Sequence, residues 1–150
     1  MWENESMRAI VQRVKKASVQ IGSEVKNSIG RGILVLCAFR EGDDEKKIKW
    51  AAERISKLRI FRDLNHKLNR SVSDEKGEAL VVSNFTLYGN CAHGTRPDFS
   101  KSANFQTALP MYEMFVRELN KRVPTKTGEF GGDMTLEIVA DGPVTVVVDN

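Results

Sequence analysis

The chain has 150 residues, 41% of them hydrophobic and 29% charged, with a net charge of +3. That length suits one domain with a real core and is short for two, and the balance excludes a disordered chain. No apolar run is long enough to span a bilayer and the N-terminus lacks a signal-peptide core, so a cytoplasmic protein with no membrane partner is expected. The mild positive charge permits contact with a small phosphate-bearing ligand but does not suit a protein that coats a long duplex.

Residues 1–6 are polar and precede a second methionine, Met7. They read as an extension or cloning remnant, with the domain running over 7–150. Arg8 to Ile21 reads as strand, with partial alternation through Ile10, Gln12, Val14, Val19 and Ile21 and a break at Lys15 to Ser18. Gly22 to Gly32, with three glycines, reads as turns around a short strand. Ile33 to Phe39 is continuously apolar and predicts a central strand buried on both faces. Cys37 lies inside it, far from Cys91, so it reads as a small core residue.

Asp43-Asp44 opens a helix in which Ile48, Ala51, Ala52, Ile55 and Leu58 recur at helical spacing. Arg59 to Phe61 reads as a short strand, and Asp63 to Gly77 as a polar loop. Ala79 to Leu87 reads as strand and Tyr88 to Ser102 as loop. A second helix spans about Asn104 to Arg122, with Leu109, Tyr112, Val116 and Leu119 on one face. Pro110 requires either a later start, near Thr107, or a bend. Val123 to Gly132 reads as loop. Met134 to Val139 and Val144 to Val148 read as final strands joined by a Gly142-Pro143 turn. This order predicts an α+β fold, a single-domain layered β/β/α sandwich with a mixed sheet and two main helices.

The familiar catalytic patterns are missing: no Gly-x-Ser-x-Gly elbow, no phosphate-binding glycine loop and no zinc motif. His66 and His93 sit in loops without a partner at ligand spacing. No metal and no organic cofactor are expected, so catalysis would rest on positioned backbone groups and on the substrate. Two segments carry such groups. Ser83-Asn84-Phe85-Thr86 ends a strand with two hydroxyls, an amide and several N–H groups. The N–H groups of Phe85 and Thr86 suit a developing oxyanion, while the plain alternative is a strand cap and turn. A Thr86 nucleophile would need a base, and none is evident. Gly142-Pro143 is either an ordinary hairpin turn or a cis bond whose two carbonyls point one way and hold an ammonium group.

Together, in this order and spacing, Ser83-Asn84-Phe85-Thr86-Leu87 and Asp141-Gly142-Pro143-Val144-Thr145 resemble the D-aminoacyl-tRNA deacylase family, of the D-Tyr-tRNA deacylase type. The resemblance runs from Met7 to Asn150. It implies hydrolysis of the ester between a D-amino acid and the 3′ end of tRNA, and of glycyl-tRNA mischarged on tRNA-Ala. It also implies a homodimer in which the Gly-cis-Pro turn of one copy enters the pocket of the other and rejects L side chains.

By position, the resemblance assigns catalytic roles to Phe85 and Thr86. It assigns substrate binding to Ser83, Asn84, Gly142, Pro143, Val144 and Thr145, a turn-steadying role to Arg13, and places near the adenosine to Phe130 and Met134. It also covers the Gly94-Thr95-Arg96-Pro97-Asp98-Phe99 loop, and implies that the substrate's 2′-hydroxyl takes part in catalysis. Two departures stand out: Asn84 replaces the family's glutamine, and Ala140 replaces an asparagine before the Asp-Gly-Pro run. Other readings are an editing enzyme of relaxed or L specificity and a non-catalytic tRNA-end binding module.

Overall fold

The computed structural model describes residues 7–149; the expected N-terminal extension, residues 1–6, lies outside them. In chain order the strands are β1 (Arg8–Ile21), β2 (Glu24–Ile29), β3 (Gly32–Ala38), β4 (Phe61–Arg62), β5 (Leu68–Arg70), β6 (Glu78–Ser83), β7 (Thr125–Thr127) and β8 (Thr135–Asp149). Helix α1 (Glu45–Lys57) lies between β3 and β4, and α2 (Phe105–Asn120) between β6 and β7. β4, at the end of the short strand expected over Arg59 to Phe61, pairs with β5 in a separate two-stranded ribbon, and β5 falls inside the stretch expected to be loop.

β1 organises the main sheet because it is long enough to hold three partners. Its first half pairs antiparallel with β3, from Arg8 with Ala38 to Val14 with Gly32. Its second half pairs with β2, from Ala17 with Ile29 to Ile21 with Glu24. β8 runs antiparallel along both halves. β1 runs unbroken over Arg8–Ile21, and its buried–exposed alternation slips at Arg13 to Lys16, where its register against β8 shifts. Beyond β3 the sheet continues in parallel, to β6 and then β7, so it is mixed as expected.

The two faces of β3 bury different clusters, which accounts for its unbroken apolar run. On one face Ile33, Val35 and Cys37 join Val11, Ala79 and Val81 against Ile48, Ala52 and Ile55 of α1 and Tyr112, Phe115 and Leu119 of α2. Phe39 and Phe115 meet there edge to face, with ring centroids 6.4 Å apart. On the other face Leu34 joins Leu80 and Val82 against Val14, Ala17 and Val19 of β1 and Ile29 of β2. Two strand layers and a helix layer result, with a hydrophobic core on either side of the central strands.

Both helices start where side chains supply acceptors for unpaired N–H groups. Asp44 accepts from the Lys47 N–H at 2.8 Å, and Asn104 from the Thr107 N–H at 2.8 Å, caps worth about 1 kcal/mol each. α2 therefore begins at Asn104 and the later start near Thr107 does not occur. Pro110 lies inside it on an exposed position, where the carbonyl it leaves unpaired, that of exposed Gln106, can be solvated.

The structure corrects further expectations: the loop read over Val123 to Gly132 contains strand β7, paired with β6. The strand read as Ala79 to Leu87 ends at Ser83, and Phe85–Tyr88 form a single 3₁₀ turn. The two C-terminal strands read around Gly142-Pro143 are one strand, β8. No hairpin forms because both halves pair with the same long β1.

Candidate active site

β3 and β6 are parallel neighbours, and Cys37 pairs with Ser83 at their carboxyl ends. A ligand site is favoured beyond such ends, where the chain leaves the sheet. There the structure holds a pocket of about 740 Å³. Ser83, Asn84, Phe85 and Thr86 form one wall, and Phe130, Met134 and Leu136 another. Leu36 and Ala38 extend it from β3, and Ser102 to Phe105 close it from the start of α2.

Asn84 makes the change from strand to turn. Its N–H still follows the sheet, donating to the Cys37 carbonyl at 2.7 Å. Its carbonyl accepts the first bond of the 3₁₀ turn, from Leu87 N at 3.2 Å, and its side-chain oxygen accepts the Thr86 hydroxyl. The N–H groups of Phe85 and Thr86 precede that first bond, so they belong to the unpaired donors that open any helical turn. Phe85 is 55% exposed, its ring edge-on to Phe99 at 5.3 Å.

The opposite wall is aromatic. Phe130 meets Phe105 at 4.9 Å and Tyr112 at 5.0 Å between ring centroids. Gly131, at φ +75°, has the Phe105 ring within 2.5 Å of where a Cβ would stand, so only glycine lets this loop close on the ring. The Glu129 N–H donates to the Met134 sulfur at 3.3 Å and fixes that side chain. Under this wall the Tyr112 hydroxyl donates to the Val81 carbonyl at 3.3 Å, and burial pushes its phenol well above the usual range.

Among the residues lining the pocket Asp133 alone is titratable. Cys37 is fully buried, and burial raises its thiol far above the ordinary range, so it is no nucleophile. His66 and His93 do not line the pocket.

The remaining site candidates gather elsewhere. Val14 pairs with Ala140 and Gln12 with Thr145, so the four residues Asp141 to Val144 bulge out opposite Arg13 alone. The Gly142-Pro143 bond in this bulge is cis and Gly142 has φ +123°. Arg13, only 4% exposed, holds the base of the bulge. Its Nε donates to the Asp141 carbonyl at 3.2 Å and pairs with the Asp141 carboxylate at 3.3 Å. Its Nη1 donates to the Ile60 carbonyl at 2.8 Å. Beside the bulge, the Thr145 hydroxyl accepts from Gln12 Nε2 at 3.2 Å. Gly142 and Pro143 are exposed, and no residue from Asp141 to Thr145 lines the pocket.

The sequence candidates therefore form two groups. Ser83, Asn84, Phe85, Thr86, Phe130 and Met134 surround the pocket, while Gly142, Pro143 and Val144 lie in a bulge outside it, with Arg13 opposite and Thr145 beside it. Sequence reading missed Phe105, Asp133 and the β3 end. Asn104 was visible as a cap, but nothing in the chain marked the residue after it as a wall.

The family model for D-Tyr-tRNA(Tyr) deacylase matches residues 10–149. A protein of Parabacteroides distasonis called D-aminoacyl-tRNA deacylase is 43% identical over 146 residues, covering 96% of this chain and 97% of that protein. Among solved structures, the c-Myc DNA Unwinding Element Binding Protein superposes with a TM-score of 0.90 and 37% identity, covering 95% of this chain and 98% of that one. A probable eukaryotic D-amino acid tRNA deacylase shares the fold at TM-score 0.85 and 16% identity, covering 97% of this chain and all of that one. By sequence along nearly its whole length, and by a fold that agrees, this chain belongs to the D-Tyr-tRNA(Tyr) deacylase family.

Proposed function

We propose that this protein is an aminoacyl-tRNA ester hydrolase that cleaves D-aminoacyl-tRNA, and glycyl-tRNA mischarged on tRNA-Ala, in the cytoplasm. It works as a homodimer built from residues 7–150, in which the bulge of each copy enters the pocket of the other. One observation carries this reading: a built pocket and an exposed, braced bulge occur in the same chain without sharing a wall. Rotation about a two-fold axis makes one site from such parts, and makes it twice.

In that site the terminal adenosine lies against Phe130 and Met134, and the ester carbonyl faces the N–H groups of Phe85 and Thr86. These donors stabilise the oxyanion as the ester is attacked. Ser83 and the Asn84 amide line the approach. With Asp133 the only titratable lining residue, the substrate's own 2′-hydroxyl takes part: it hydrogen-bonds the attacking water and relays its proton to the 3′ oxygen, which leaves as the acyl C–O bond breaks. The partner's bulge presents the Gly142 and Pro143 carbonyls to the substrate ammonium, with Val144 and Thr145 behind them. Its backbone fills the space an L side chain needs, so selectivity arises by exclusion and glycine passes.

The test is hydrolysis of D-aminoacyl-, glycyl- and L-aminoacyl-tRNA by the purified protein. Cleavage of the first two with the third spared is expected. Equal cleavage of the L ester would replace this reading with relaxed editing, and binding without cleavage would replace it with a tRNA-end binding module.

A further inference from the structure

The segment Asn90–Ser102 forms an anchored loop beside the pocket. Asn90 and Asp98 exchange backbone hydrogen bonds at 2.8 and 2.9 Å, which closes its tip. The Asp98 carboxylate is committed inside the loop, accepting from the Ser100 N–H at 2.9 Å and the Ser100 hydroxyl at 3.1 Å. Phe99 sits over Gly89, where a Cβ would stand 2.9 Å from the ring, and reaches the Phe85 ring of the pocket wall. At its far end Ser102 itself lines the pocket, and Ala103 N bonds the Phe39 carbonyl at 2.9 Å.

Two cations ride on this frame. Arg96 is at the closed tip, three residues before Phe99 and so within about 11 Å of it along the chain, and Lys101 adjoins Ser102. Both are exposed, and neither pairs with a carboxylate among the described residues. Asp98 is the only acid from Cys91 to Ser102, and it is engaged within the loop. The pocket takes one nucleoside and its acyl group, whereas a tRNA 3′ end brings a phosphodiester with every preceding nucleotide. Cations carried on an anchored loop beside the pocket suit those phosphates, which carry affinity without reading sequence.

We propose that the Asn90–Ser102 loop is a phosphate rail: Arg96 and Lys101 hold the backbone of the single-stranded nucleotides leading to the terminal adenosine. This rests on the deacylase reading above and adds to it where the substrate outside the pocket is gripped.

The test compares wild type with the Arg96→Ala/Lys101→Ala variant on two substrates, D-aminoacyl-tRNA and the same amino acid esterified to adenosine, which has no phosphate. For tRNA, KM should rise about tenfold with kcat little changed, and the plot of log kcat/KM against log salt should flatten by about 1.5. The adenosine ester should be cleaved at the wild-type rate, and Arg96→Lys/Lys101→Arg should restore tRNA binding. An unchanged KM and salt slope for tRNA would overturn the inference. So would an equal loss on both substrates, which would make the loop only a buttress for Phe85. Wild-type protein that cleaves neither ester would sink the deacylase reading, and this inference with it; an active wild type beside an unaltered variant would sink this inference alone.

Discussion

Phe85 opens a helical turn, and that position separates its ring from its backbone. Asn84 before it lies outside the α region that a following proline disfavours, at φ −144° and ψ 87°, and proline is well accepted as the first residue of a helical turn. Phe85→Pro therefore removes one N–H without breaking a bond of the turn. Phe85→Ala keeps the N–H and removes only the ring. If that N–H stabilises the oxyanion, kcat of Phe85→Pro should lie about 10²–10³ below that of Phe85→Ala in single-turnover hydrolysis. Equal rates would dismiss Phe85 as a donor. Arg13 offers a second test, because its deletion leaves the Ile60 carbonyl and the Asp141 carboxylate without their cation. Arg13→Ala should cost about 2–3 kcal/mol, or roughly 5–10 °C in thermal unfolding. At this scale the pocket's first wall was legible, because Ser83 to Thr86 are consecutive and unusual at a strand end. Phe105 was not: its role arises from Phe130, which is distant in sequence and comes near only once α2 and the following loop are packed.

Strand β8 departs most from what its sequence suggests. A Gly-Pro pair between apolar stretches has the composition of a hairpin turn and of a bulge alike. What decides between them is β1, whose 14 residues pair with both halves of the 15-residue β8. Local sequence carries no sign of that partner's length. The same limit explains the overlong reading of β6: Leu87 continues the apolar pattern, but the ladder with β3 ends at Ser83. Helices were more legible, since α1 declares its cap, its buried stripe and its terminal charges between Asp44 and Lys57. The bulge itself can be tested through Gly142. At φ +123° an alanine is strained, and its Cβ would stand 3.0 Å from Arg13 Nη2 and from the Val144 nitrogen. Gly142→Ala should cost about 1–3 kcal/mol in unfolding and lower D-aminoacyl-tRNA hydrolysis more than tenfold. Wild-type hydrolysis by a folded variant would remove the bulge from the site.

As a whole the chain exposes apolar surface along β8 and at the pocket. Val147 is 60% exposed, Ile138 and Val139 40% each, and Phe105 56%. Surface of this kind suits a ligand groove at Phe105 and, along β8, the subunit interface proposed above. No helix among the described residues is long and apolar enough to cross a membrane. Val147→Lys should shift sedimentation from dimer to monomer at micromolar concentration and remove activity in parallel. An active monomer would contradict the shared site. A direct measurement uses one damaged part per chain: a heterodimer of Phe85→Pro and Gly142→Ala subunits, purified through two different tags. If each site joins one copy's pocket to the other's bulge, one of the two sites has both parts intact, and the heterodimer should cleave D-aminoacyl-tRNA at about half the wild-type dimer rate. If pocket and bulge act within a single chain, every site is damaged, and the heterodimer will be no more active than the two parent variants.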